Sequence, residues 1–240
     1  DFLCFAEPDA AVVVCDATCL ERGLLLVMQV LETCPRTLLC VNLLDEAEKR
    51  QITIDLPLDE AEKRQITIDL PQLEQLLGIP VVGMAARSGT GLPEFQQRLF
   101  DLLHQPAPQP LPCPVPEQLV QPLEQIQNEL PENLCGLQRE WTARRLLEPE
   151  PELHEKIAAH GNISLEIPAL SDALEQTWKQ YSPEVCADAM IAAIVRHSEA
   201  LAAQTVHQPE QTDAADRRLD RILAGKWGIL VMLLLLGLVL

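Results

Sequence analysis

Over the first hundred positions apolar and polar residues come in alternating blocks of two kinds. Residues 10–17 (AAVVVCDA) are a compact, β-branched apolar run ending in Asp, the pattern of a buried parallel strand. Residues 20–34 carry apolar side chains at helical spacing, and residues 37–45 (TLLCVNLLD) read as a second strand. Residues 71–78 (PQLEQLLG) predict a helix stopped by Gly78, residues 79–86 (IPVVGMAA) a third strand, and residues 92–105 a helix with Pro93 in its first turn. Strand and helix in alternation imply βαβ crossovers and a parallel sheet, so residues 1–104 are expected to form an α/β domain.

The pattern then changes. Residues 104–116 hold six prolines in thirteen positions, which excludes helix and sheet and predicts an extended linker between domains. Segments 122–130, 139–148, 151–160, 171–181 and 182–204 each place apolar residues at i, i+3/i+4, so residues 117–206 are expected to be all-α. Ser182-Pro183-Glu184 has the form of a helix start, Ser as cap and Pro at the first helical position. Residues 207–226 read as a polar, then basic linker, with Arg217, Arg218, Arg221 and Lys226 just ahead of the last segment. That segment, WGILVMLLLLGLVL (227–240), is apolar on every face. A span needs about 20 such residues, and basic residues mark its cytoplasmic flank. It is therefore expected to be the start of a transmembrane helix cut short. Because the chain also begins with Asp1, both of its ends read as truncated.

Composition narrows the function classes. The formal net charge of -18 argues against nucleic-acid binding, which relies on clustered Lys and Arg. Aromatic residues are 3% of the chain, so the core must be aliphatic. None of the eight cysteines forms a CxxC, which predicts buried free thiols rather than a zinc site or disulfides. His154, His160 and His197 have no matching carboxylates and read as packed or solvated, and EPEPE (148–152) reads as a solvated loop. No metal ligand set is expected, and no catalytic residue is assigned.

Ligands of open parallel sheets bind beyond the carboxyl ends of the strands. The second strand ends in Asn42-Leu43-Leu44-Asp45, an NxxD, and the third runs into Ala85-Ala86-Arg87-Ser88-Gly89-Thr90-Gly91. These resemble the two base-reading loops of GTP-binding proteins, NKxD and SAK. An Asp carboxylate can accept from the ring N–H and the exocyclic amine of guanine, while a backbone N–H at Ala86 can donate to the guanine carbonyl. Adenine would leave those groups unpaired. The candidate guanine-binding residues are thus Asn42, Asp45, Ala85, Ala86 and Arg87. The structural alternative is that Asn42 and Asp45 cap the helix that follows. No GxxxxGK[ST] occurs, so the phosphate-binding half of such a domain is expected upstream, and hydrolysis by these residues alone is not.

Longer stretches resemble one family. DFLCFAEPDAAVVVCDATCLERGLLLVMQVLE is similar to the segment "PD…VVDATNLERNLYL…QLLE" of the FeoB family of bacterial ferrous iron transporters. NLLDEAEKRQITIDL and LLGIPVVGMAARSGTGL resemble that family's "NMMDEAEKRGI.ID" and "LLGIPVV…SARSGKGL", and REWTARRLLE and RLDRILAGKWGI resemble its later helical and premembrane segments. The departures are Cys19 and Gly23 where Asn is usual, Ala85 for Ser, and Glu148-Pro149 for Gly-Asp. The resemblance implies a partial P-loop-GTPase-like α/β sheet and an all-α helical domain of the GDP-dissociation-inhibitor type. A membrane domain for Fe²⁺ would follow. It further implies GTP or GDP as ligand, with Mg²⁺ only alongside upstream phosphate loops. The lipid bilayer would be a partner, residues 1–226 would be cytoplasmic at a bacterial plasma membrane, and the assembly is compatible with a homo-oligomer. The competing reading is a membrane-anchored α/β interaction module that does not bind nucleotide.

LDEAEKRQITIDLP occurs twice without a difference, at 44–57 and 58–71. Only the first copy has Asn42 at the right offset from its Asp; the second has Leu56 there. True structural repeats recur more often and drift, so the doubling reads as a tandem duplication or an assembly error, accommodated as a surface excursion.

Overall fold

The computed structural model describes residues 2–49, 52–55, 66–164 and 167–207. A short helix α1 (Phe2–Phe5) leads into β1 (Ala11–Asp16), and a 3-10 turn (Ala17–Cys19) opens α2 (Leu20–Leu31). β2 (Thr37–Asn42) is followed by α3 (Leu44–Lys49), then by the short strands β3 (Ile52–Asp55) and β4 (Ile66–Asp69). Next come α4 (Leu70–Leu77), β5 (Val81–Gly83) and α5 (Leu92–His104). After the proline-rich linker stand α6 (Glu117–Glu129), α7 (Arg139–Leu147), α8 (Pro151–Gly161), α9 (Pro168–Gln180), α10 (Pro183–Thr205) and the two-residue β6 (Val206–His207).

The main sheet has the order β1-β2-β5 and is parallel throughout. β2 lies in the middle and is buried on both faces, as its unbroken apolar run requires. Leu39 and Val41 face the larger core with α2, α4 and part of α10, whereas Leu38 joins Val82 and Leu102 of α5 on the other side. β1 departs from the expectation of a fully buried strand: Ala11, Val13 and Cys15 are buried, but Val12 and Val14 are exposed. The reason is placement. β1 ends the sheet, and α5 packs on β2 and β5 rather than on β1.

Local signals act as expected at several ends. Gly78 closes α4 in the left-handed region at φ 66, where a glycine has no Cβ to strain. Asp69 accepts from the Gln72 amide to cap the same helix, and the Ser182 hydroxyl accepts from Val185 at the start of α10. α5 ends at His104 and α6 begins at Glu117, so residues 105–116 carry no helix or strand.

The doubled block forms more than an excursion. Its two ITID segments are β3 and β4, which pair parallel and in register, Ile52 beside Ile66 through Asp55 beside Asp69, with β6 antiparallel on the far side of β4. Residues 56–65, which hold the whole of the second DEAEKR, lie outside the described residues, as do the polar and basic segment from 208 and the apolar tail 227–240. Among the described residues no helix is long and apolar enough to cross a membrane.

The helices after the linker bury a second core, with Leu119 and Ile126 of α6, Trp141 and Leu147 of α7, Ile157 of α8 and Leu170 of α9. α10 serves both cores: Cys186 and Met190 belong to the helical one, Ile194, Leu201 and Ala202 to the α/β one. All eight cysteines are free, with Cys15, Cys34, Cys40 and Cys186 buried.

Candidate purine site at the strand ends

The strand register brings the candidate loops together. Asp16 ends β1 opposite Asn42 at the end of β2, and Val41 pairs with Gly83 at the end of β5. The Met84 amide donates to the Val41 carbonyl at 2.8 Å, and the Leu44 amide to the Met84 carbonyl at 3.3 Å, so the two loops are joined through their backbones before any side chain contributes.

Asn42 adds the side-chain link. Its Oδ1 accepts the Ala86 N–H at 3.0 Å, across 44 positions of sequence. The side chain thus reaches over to the neighbouring loop. α3 is instead started by the Leu43 carbonyl, which accepts from Glu46 and Ala47 at 3.1 and 2.9 Å. Leu43 stands at φ 63, a region that costs a side chain with a Cβ about 1 kcal/mol or more. Asp45 follows in the first turn of α3, where the helix dipole favours a carboxylate.

The 85–91 loop is closed on itself. Ala85 is buried, its amide donates to the Thr90 carbonyl, and its carbonyl accepts from the Ser88 and Gly89 amides and the Ser88 hydroxyl. The Ser88 and Thr90 hydroxyls hydrogen-bond each other at 2.9 Å. Gly91, at φ 78, comes so close to strand β5 that a Cβ would collide with the Gly83 carbonyl. Ala86 and Arg87 are exposed at the tip.

Three contributors were not singled out from the sequence. Asp16 accepts from the Thr18 amide at 2.7 Å and caps the 3-10 turn that packs on α3; its place at the end of an apolar run was the available signal. Ser88 and Thr90 brace the loop, and nothing in their spacing announces it. Beneath the loops, burial pushes the Cys15 thiol up to about 11, with Cys40 and Cys19 adding to the shift, so it remains protonated at neutral pH. Among the described residues no cluster of three or more His, Cys, Asp or Glu could hold a metal ion.

Comparisons with known proteins find similar sequences and a similar fold. The family model described as ferrous iron transport protein B matches residues 1–58. The Fe(2+) transporter FeoB of Legionella pneumophila (strain Paris) is 32% identical over 124 residues, 52% of this chain and 14% of that protein. A Porphyromonas gingivalis Fe(2+) transport protein A/Fe(2+) transporter FeoB fusion protein is 36% identical over 97 residues, 40% of this chain and 9% of that protein. The cytosolic domain of Legionella pneumophila FeoB superposes with a TM-score of 0.57 at 25% identity, over 84% of this chain and 69% of that one.

By sequence, this chain is similar to FeoB proteins.

The match covers only a small part of the full relatives, 14% of the Legionella protein's length. At the level of fold alone, the cytosolic domain of T. maritima FeoB in its GDP form has a TM-score of 0.63 at 18% identity, covering 86% of this chain and 70% of that one. One family departure now has a structural reason. A Cβ at Gly23, on α2, would run into the Cys15 side chain, so a glycine there goes with the cysteine on β1. Another concerns Glu148, expected in a solvated loop. It is 8% exposed and bonded to Arg145, which in turn reaches Glu32 of the α/β unit.

Proposed function

We propose that this chain carries the guanine-reading loops and the helical regulatory part of a GTP-dependent ferrous iron transporter. Residues 1–104 would form the G-domain part and 105–116 the linker. Residues 117–206 would form the regulatory helical domain, and 227–240 the entry into a membrane domain that moves Fe²⁺. In this reading Asp45 accepts from the guanine ring N–H and amine, and Asn42 braces the loops at the purine edge. Ala85, Ala86 and Arg87 close over the base. GTP or GDP is the ligand, and Mg²⁺ enters only with phosphate-binding loops.

The observation that carries this reading is the hydrogen bond from the Ala86 N–H to Asn42 Oδ1. It ties an NxxD loop to an AAR loop at the ends of adjacent parallel strands, where a purine can meet a carboxylate from one and a backbone donor from the other. The GDP and GMPPNP forms named for solved FeoB cytosolic domains support the ligand class. The same bond also favours the rival reading, an interaction module without nucleotide. The Ala86 amide already has an acceptor, and a base carbonyl must share or displace it.

Equilibrium titration with fluorescently labelled GDP and ADP separates the two. Preference for GDP, lost by tenfold or more in Asp45→Ala, is expected, since a site built on buried hydrogen bonds discriminates strongly against the wrong edge. Equal affinities, or an Asp45→Ala variant that still prefers GDP, would sink the guanine assignment.

A further inference from the structure

α7 is held to the α/β unit by buried charge. Glu32 is the residue that ends α2, and its side chain is 4% exposed. Arg144 Nη1 donates to one of its carboxylate oxygens at 2.5 Å and Arg145 Nη2 to the other at 2.9 Å. Arg144 Nη2 also donates to the Cys113 carbonyl of the linker at 2.6 Å, and Arg145 Nη1 binds both oxygens of Glu148 at 2.7 and 2.8 Å. Two guanidiniums face two carboxylates, and of the four Glu32 alone comes from the α/β side.

The seat is uneven. On the α10 side one continuous helix contributes to both cores, so the two units share an apolar element. On the α7 side a cavity of about 200 Å³, bordered by Leu31, Pro112, Cys113 and Trp141, opens beside the ions. Within the ion cluster itself, Arg145 Nε is buried with no hydrogen-bond partner among the described residues. Phe5 adds an edge contact to Trp141 at 6.2 Å between ring centroids. Close-packed interiors rarely leave such gaps, and a buried ion pair adds little net stability yet becomes very unfavourable when one partner is removed. Such a contact is suited to selecting one arrangement of two bodies over another.

We infer that Glu32 is an ionic latch that closes the helical unit on the α/β unit, with α10 as the hinge. Without the Glu32 charge, Arg144 and Arg145 are left with one carboxylate for two cations. α7 and the linker then move out toward water while both cores persist. On the proposed base-reading role, α2 runs from the 3-10 turn that packs on α3, the helix of Asp45, to this latch, which would connect the two ends. The latch itself requires no nucleotide, so its test is independent of that role.

The chain's own cysteines report the opening. Cys113 lies in the seat, Cys40 in the α/β core and Cys186 in the helical core. Labelling the full chain with a small and a bulky maleimide, read by peptide mass spectrometry, gives a bulky-to-small rate ratio that cancels any change in thiol ionisation. In Glu32→Gln that ratio is expected to rise at least tenfold at Cys113, with Cys40 and Cys186 still protected. Glu148→Gln removes a charge that does not cross the units and should leave the Cys113 ratio within twofold. An unchanged Cys113 in Glu32→Gln overturns the latch. So does simultaneous labelling of all three sites, which would make Glu32 a part of the common fold, or a Glu148→Gln variant that opens Cys113 as much.

Discussion

At the scale of single residues, the candidate site depends on two backbone conformations that few residues tolerate. Leu43 adopts φ 63 between Asn42 and the helix bearing Asp45, and Gly91 adopts φ 78 against the Gly83 carbonyl. Strain at Leu43 is held by the hydrogen bonds around it, since its carbonyl accepts from Glu46 and Ala47 and the next amide donates to the Met84 carbonyl, the situation in which an unfavourable φ/ψ persists. For Gly91 the consequence is measurable. Gly91→Ala adds left-handed strain of about 1–2 kcal/mol and a collision with backbone that cannot swing aside. Urea unfolding should show a loss of about 2 kcal/mol or more. A midpoint equal to wild type would mean that the 85–91 loop relaxes freely and does not hold Ala86 in place. The NxxD and AAR residues could be found from sequence because chemistry fixes their types. The bracing pair Ser88 and Thr90 could not, because any turn tolerates them and only the fold puts their hydroxyls 2.9 Å apart.

At the scale of elements, the doubled block shows how flanking sequence selects between identical segments. Both ITID copies form strands, in register with each other. Yet only the second is followed by PQLEQLLG, whose Leu73 and Leu77 are buried and whose first turn Asp69 caps. The first is preceded by Asn42, whose link to Ala86 ties that end to β5. Each copy is therefore locked at its outer end, and β3 is an added strand beside β4 rather than a replacement for it. Deleting fourteen residues, 44–57 or 58–71, yields one and the same sequence. That single-copy chain should keep the β4–α4 unit and unfold within about 1 kcal/mol of wild type, because loop-closure entropy changes slowly with length. Circular dichroism and urea titration check this. A collapse of cooperative unfolding would show that β3 is integral to the fold. Helix ends such as Gly78 and Ser182 were legible locally, because caps are short-range chemistry. The pairing of β3 with β4 was not, because two identical four-residue strands carry no information about which neighbour each takes.

At the scale of the whole molecule, the two cores are joined by α10 and by the ionic cluster at Glu32. Glu148 gives the cluster a pH dependence. Burial pushes its carboxyl above the ordinary 4.5, and Arg145, though held strongly charged by Glu148 and Glu32 against its own burial, does not fully offset that. A raised folded pKa means the protonated form is the one the fold favours. Its contribution is present in full below pH 4.5 and is lost as pH rises through the higher folded value. The stability of wild type relative to Glu148→Gln should therefore fall as pH is raised from 4.5 toward neutrality, measured by denaturant unfolding at each pH. A relative stability that rises over this window would show that the pairing with Arg145 outweighs burial. The sequence by itself determined the α/β pattern, the linker and the all-α second half. It also determined the residue types at the strand ends, since periodicity, proline density and hydrogen-bonding chemistry are local properties. Only the tertiary structure decided that Asn42 reaches Ala86, that β1 shows valines to solvent, and that Glu148 is buried. It also decided that Glu32 meets two arginines more than a hundred positions away, because burial and charge pairing depend on which distant surfaces the fold brings into contact.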